Sequence, residues 1–315
     1  MRFRFQPWQL AVLVVVLCAG ALALAHWWRV SRPFDAVRLI ECLPPDQATH
    51  VYVDVELLRR SGILDLLAGS KAAEEPEYLR FVEQTGFDYR TDLDAIAAAF
   101  MHGNVYLALR GRFEWKRLSE YARAQGGQCL NSICSMPGSR PDRNISYYPL
   151  RSDTLALAVS AQPRGTDMIG FSEWKHPPVL PPEPVWISVP SFALANVNDL
   201  PSGTHAFLRP LAQAQQVTFA IGPAGATPGI DRQRLRMRLE VACATPEAAA
   251  QLASRLTAAT DLLKKMIERE HMTPNPRDLS GVLVAGKFQQ QNALVTGTWP
   301  LERGFVEALA AGQVQ

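Results

Sequence analysis

The hydrophobic pattern begins with one long unbroken run and then breaks into short periods. From Leu10 to Ala25 every residue is apolar or glycine, and Trp8, Trp27 and Trp28 flank the run. A helix rises about 1.5 Å per residue, so Trp8 to Trp28 supplies the roughly 20 residues that cross a hydrocarbon core of about 30 Å. Tryptophans at both ends suit the headgroup layer. Residues 1–29 therefore read as a signal-anchor transmembrane segment. Arg2 and Arg4 precede it, while Arg29, Arg32 and Arg38 follow it, so the positive-inside count is nearly balanced. A short basic region running straight into an apolar one still favours a cytoplasmic N-terminus. Ala21-Leu22-Ala23 and Ala23-Leu24-Ala25 fit a signal-peptidase site, and cleavage there would release a soluble chain.

After the leader, residues 30–49 carry Pro33, Pro44 and Pro45 and read as a stalk. Alternation of Val51, Val53 and Val55 predicts a strand over His50 to Val55, followed by a helix over Glu56 to Leu67 and a more polar one over Glu75 to Gln84. Asp92 is placed to cap a helix over Leu93 to Phe100. A strand through Val105, Leu107 and Leu109 and a helix over Trp115 to Ala124 come next. Further strands are expected at Ile145 to Leu150, Thr154 to Ser160, Val185 to Val189, Gln216 to Ile221, Arg234 to Cys243 and Ala293 to Trp299. Thr245 as N-cap, Pro246 in the first turn and the stripe Leu252, Leu256, Leu263, Ile267 predict a helix running to about Glu270.

Five prolines between Pro177 and Pro184 divide the body, giving a first α/β half at 50–169, a linker at 170–184 and a second half at 185–315. A gapless offset pairs Asp92-Leu93 with Asp278-Leu279, Gly111 with Gly297 and Phe113 with Trp299, each copy reading as capped helix, strand, Gly-x-aromatic turn and helix. The expected fold is α+β, with two related halves of mainly antiparallel or mixed sheet covered by helices and preceded by one transmembrane helix.

Composition narrows the chemistry. With 315 residues, 48% hydrophobic, 20% charged and a net charge of +2, the chain lacks the basic excess of a nucleic-acid binder. Six scattered histidines form no metal-ligand spacing, and Asp88, Asp92 and Asp94 lack the rest of an EF-hand. Neither a metal nor a cofactor is expected. Ser172-Glu173-Trp174-Lys175 fits S-x-x-K, yet it lies beside the proline-rich linker without the companion motifs of Ser/Lys acyl-enzymes. Cys129 and Cys134 lie close together in a Gly- and Ser-rich stretch and are the candidate disulfide of an oxidising compartment, with Cys42 and Cys243 as the other possible pair. Arg232, Arg234, Arg236 and Arg238 alternate with Leu235, Met237 and Leu239, which puts four guanidinium groups on one strand face. That row is a candidate site for an anionic envelope component or a partner protein. The other reading is a solvated face compensated by Glu240 and other acids.

The run from Val51-Tyr52-Val53-Asp54-Val55 through Gly86-Phe87-Asp88 and Asp92-Leu93 to Gly111-Arg112-Phe113 resembles uncharacterised bacterial envelope proteins with an N-terminal anchor and a duplicated α/β extracytoplasmic body. The resemblance implies export and no particular activity. The leading expectation is a non-enzymatic inner-membrane protein, single-pass through Trp8 to Trp28, whose periplasmic body binds or assembles with an unknown ligand or envelope partner. The alternatives are an exported hydrolase without a recognisable motif and a secreted protein released by cleavage.

Overall fold

The computed structural model describes residues 35–45, 47–64, 76–170, 174, 179–194, 208, 210–224, 235–271, 273–275 and 277–310. The expected anchor at Trp8 to Trp28 lies outside them. Among the described residues no helix is long and apolar enough to cross a membrane.

Alternating side chains dictate strands, and twelve of them join edge to edge among the described residues. These are β1 (Thr49–Asp54), β2 (Leu93–Met101), β3 (Asn104–Gly111), β4 (Gln128–Leu130), β5 (Ile133–Pro137), β6 (Asn144–Arg151), β7 (Thr154–Ser160), β8 (Val185–Pro190), β9 (Gln216–Pro223), β10 (Leu235–Ala242), β11 (Lys287–Gln291) and β12 (Leu294–Leu301). The helices are α1 (Ala36–Glu41), α2 (Val55–Arg60), α3 (Pro76–Thr85), α4 (Tyr89–Asp92), α5 (Trp115–Ala124), α6 (Ser191–Leu194), α7 (Pro246–Arg269), α8 (Leu279–Val284) and α9 (Arg303–Ala310). The sheet order is β11-β12-β10-β9-β8-β1-β2-β3-β7-β6-β5-β4, and every pairing is antiparallel. The chain is thus α+β, built on one large antiparallel sheet carrying helices.

The order β1-β2-β3-β7-β6 recurs as β8-β9-β10-β12-β11. In each run two paired strands lead into a helix, α5 or α7, and a final hairpin returns to the second of those strands. The runs meet where His50 to Val53 of β1 pair with Val185 to Ser188 of β8. This register differs from the gapless offset read from the sequence. Asp92 ends α4 and leads directly into a strand, whereas Asp278 caps α8; Gly111 closes β3, whereas Gly297 lies inside β12.

The helix expected over Leu93 to Phe100 is instead β2. Alanines favour helices in isolation, but that preference is weak beside burial between two strands. In β2 Ala97, between Ala95 and Ala99 on the same face, lies in one row with Ala108 of β3 and Ala156 of β7, all without exposed surface. Their small side chains leave room on that face for α1, which buries Leu39 and Ile40. The opposite face of this half packs Leu155 and Tyr147 against Leu118 and Ala122 of α5. In the second half, Val217, Leu239, Val241 and Val295 pack against Leu252 and Leu256 of α7.

Capping fixes where the helices start. Thr245 Oγ1 accepts from the Ala248 amide at 3.2 Å and Pro246 follows it, as the sequence requires. Asp54 caps α2 by accepting from the Leu57 amide at 2.8 Å, so α2 leaves the end of β1 without a linker.

Cys129 and Cys134 face one another across the β4–β5 hairpin and are disulfide-bonded, with Cα atoms 4.0 Å apart. Asn131 and Ser132 join the strands with φ of 49° and 67°, the left-handed pair of a type I′ turn. Cys42 and Cys243 do not form the other pair; both are buried free thiols. Burial, assisted by the Glu41 carboxylate, pushes the Cys42 thiol up to about 11, which keeps it protonated and unreactive.

The disulfide closes a short loop at the sheet's edge, so its contribution is bounded. Reduction, or the double variant Cys129→Ser with Cys134→Ser, is expected to lower unfolding stability by about 2 kcal/mol while leaving the sheet folded. Urea midpoints with and without reductant measure this; identical midpoints, or complete unfolding on reduction, would contradict it.

Candidate functional site

The short connection from β1 into α2 carries Leu57, Leu58 and Ile63 over the second half of the sheet. Opposite them stand Ile221 of β9, Leu235 and Met237 of β10, and Leu301 of β12. Helices α8 and α9 close the remaining side with Leu279, Val282, Leu283, Phe305 and Val306. Together they enclose a cavity of about 580 Å³, within the range of small-molecule sites. Its floor is the apolar face of the sheet, since Val185, Ile221 and Met237 lie in one row across β8, β9 and β10. Gly222 lets the strands close at its edge: a Cβ there would meet Glu183 Cγ at 2.9 Å and Pro184 Cδ at 3.2 Å.

Among the described residues that line this cavity, only Arg60 and Ser61 have hydrophilic side chains. The Arg60 side chain is 70% exposed and ion-paired with Glu56 one turn earlier, so it stands at the mouth. Ser61 Oγ donates to the Leu58 carbonyl at 2.9 Å. A pocket with this lining offers burial and one polar edge. Among its described residues there is no nucleophile with an adjacent base and no carboxylate pair of the kind acyl transfer or hydrolysis uses.

The other sheet face carries a second cleft of about 380 Å³. Glu240, Thr218, Ser188 and His50 lie directly opposite one another on β10, β9, β8 and β1. Ser188 and Thr218 share a hydroxyl hydrogen bond of 3.0 Å, and Gln216 Nε2 donates to Ser188 Oγ at 2.7 Å. His50 sits beside the Trp174 ring at 5.2 Å, and its Nε2 donates to the Pro44 carbonyl at 2.8 Å. That nitrogen therefore cannot take a proton from Ser188. Burial pulls the His50 pKa below its ordinary value and outweighs the Pro44 bond, which pushes the other way.

Of the arginine row, Arg232 and Arg234 lie outside the described residues. Arg236 and Arg238 share the β10 face opposite the apolar cavity. Arg238 Nη2 donates to Glu183 Oε2 at 2.8 Å, while Nη1 binds Glu240, so two carboxylates neutralise it. For Arg238 the arrangement is the compensated one. Ser172 and Lys175 also fall outside the described residues. Asp92 caps no following helix: it accepts from the Asp88 amide at 2.9 Å and from Arg112. Burial raises the Asp92 pKa, but these donors outweigh it and hold the carboxyl below its ordinary value. Among the described residues no three metal-ligating side chains come together.

The apolar cavity escaped sequence reading because its walls come from seven elements scattered between Leu57 and Val306. Each wall residue looks like ordinary core in its own segment. The one local signal is the exposed Leu57 beside Leu58 and Arg60 on a short capped helix.

No protein-family model and no curated protein matches the chain. Two solved structures are similar to it at low identity. Crystal form IV of TP0453 gives a TM-score of 0.47 at 10% identity, covering 88% of this chain and 96% of that one. Crystal form I of TP0453 gives 0.44 at 9%, covering 90% and 100%. Likenesses at this level carry nothing further about function.

The lowered His50 pKa makes stability depend on pH. A depressed imidazole pKa means that the unfolded chain takes up the proton first as pH falls. Stability is complete above about pH 6.5 and drops through that value towards the folded pKa, by up to about 1.4 kcal/mol per pH unit in that window. His50→Gln retains a donor for Pro44 and is expected to lose this component. Urea midpoints at pH 7.5 and pH 5 test it; equal drops for wild type and variant would contradict the assignment.

Proposed function

We propose that the chain is a non-enzymatic binding protein that shelters an apolar small molecule in the cavity between α2, the sheet and helices α8 and α9. The observation that carries this reading is the lining: among the described residues, apolar side chains stand on every wall and polarity is confined to the mouth. Each methylene moved from water into such a site contributes about 0.8 kcal/mol, so an elongated hydrocarbon gains most from it.

The leader supports a setting for this activity. Trp8 to Trp28 anchors the chain in the inner membrane, and the body stands on the periplasmic side. The Cys129–Cys134 disulfide suits that oxidising compartment. The recurring strand order supports descent of the body from two related halves joined edge to edge. In this reading Arg238 is a compensated charge and not a ligand site, because Glu183 and Glu240 already occupy it.

Binding is measured with N-phenyl-1-naphthylamine, whose fluorescence rises in apolar surroundings. The wild-type chain is expected to bind it saturably. Val282→Trp is expected to weaken binding about tenfold, equivalent to roughly two methylenes of lost burial. Leu57 is 42% exposed and tolerates bulk, so Leu57→Trp gives a second, better-folded probe of the same wall. Absence of wild-type binding, or affinities unmoved by both substitutions, would contradict the proposal.

A further inference from the structure

We infer that the occupant of this cavity is a single acyl chain carrying an anionic head group, with the head at Arg60 and Ser61 and the tail inside. The inference rests on the cavity reading above and adds the chemistry of the ligand. The polar and apolar parts of the lining are segregated. Residues on the sheet floor, α8 and α9 offer no charge, while the two hydrophilic side chains are consecutive residues at the C-terminal end of α2. A ligand that satisfies both regions is amphiphilic, with one polar end. A fully apolar molecule would leave Arg60 unused, and a polar one would desolvate against leucine, valine and phenylalanine.

The sign of the head group follows from Arg60. It is the one charged side chain among the described residues of the lining, it is cationic, and its exposure keeps it at the opening. A carboxylate or phosphate at the mouth accepts from the guanidinium and from Ser61 Oγ, whose present acceptor is only the Leu58 carbonyl. Glu56 competes for the same guanidinium through their ion pair on α2. Glu56 therefore lowers the affinity for an anion, and removing its charge frees Arg60. The two parts of the site also have different origins in the chain. The head-group end belongs to the segment after β1, and most of the tail pocket belongs to strands β9, β10 and β12 with α8 and α9.

Displacement of N-phenyl-1-naphthylamine by three ligands sharing an oleoyl-length chain tests the inference: oleate, oleoyl lysophosphatidate and the neutral oleyl alcohol. In the wild type both anions are expected to bind about fivefold or more tighter than the alcohol, a margin typical of a partly exposed ion pair. Arg60→Gln is expected to bring the anion-to-alcohol affinity ratio towards one, and Glu56→Gln to raise it. The fatty acid and the lysophospholipid distinguish the source of the head: whichever binds tighter identifies carboxylate or phosphate. Equal affinity for alcohol and anions in the wild type, or a ratio unmoved by both substitutions, overturns the anionic-head assignment while leaving the apolar-site reading intact. Failure of all three to displace the probe, with the probe itself unbound, overturns both.

Discussion

The antiparallel pairing of β1 with β8 is the constraint on which the rest of the structure depends. Four residue pairs, from His50 opposite Ser188 to Val53 opposite Val185, fuse two runs of strands into one sheet. The Asp54 amide extends the contact by donating to the Pro184 carbonyl at 2.7 Å. Because α2 follows β1 immediately, that pairing also decides where α2 lies. It projects Leu57, Leu58 and Ile63 from the first run over the apolar floor of the second. Without the junction the second half would have a helix-covered sheet but no fourth wall.

The two faces of the sheet then divide the labour. Apolar side chains of β9, β10 and β12 face α7, α8 and α9 and supply both the main core and the cavity. The opposite face alternates to hydroxyl, amide and charged groups that bond one another, as in Ser188 with Thr218 and Arg238 with Glu183 and Glu240. Strand alternation alone produces this separation, since a residue and its neighbour point to opposite sides. The binding reading thus follows from which face the helices cover, and Arg236 and Arg238 of the arginine row that stood out in the sequence fall on the other one.

Much of the fold was legible where a local pattern decides the outcome. Alternating apolar positions placed β1, β8 and β10 nearly to the residue, and Thr245-Pro246 placed the start of α7. Legibility failed where partners are distant. Ala95 to Ala99 carry a helical preference that β1 and β3 override by pairing on both sides. Arg238 finds its acid 55 positions upstream in Glu183, inside the segment that read only as proline-rich linker. The ungapped match of the stretch from Asp92 with the stretch from Asp278 paired β2, β3 and α5 with α8, β12 and α9, whereas in the recurring strand order their counterparts are β9, β10 and α7. The cavity was least legible of all: core-type residues reveal a wall only after the elements bearing them have been brought together.

The central claim is that the space under α2 receives a hydrocarbon chain. Diffraction from crystals of the protein soaked with a terminally brominated fatty acid tests it most directly, because bromine's anomalous signal locates the tail without reference to any variant. The account predicts one strong peak between Met237, Val282 and Phe305, with the carboxylate at Arg60. Bromine found only on the outer surface, or on the sheet face that carries Arg236 and Arg238, would contradict it.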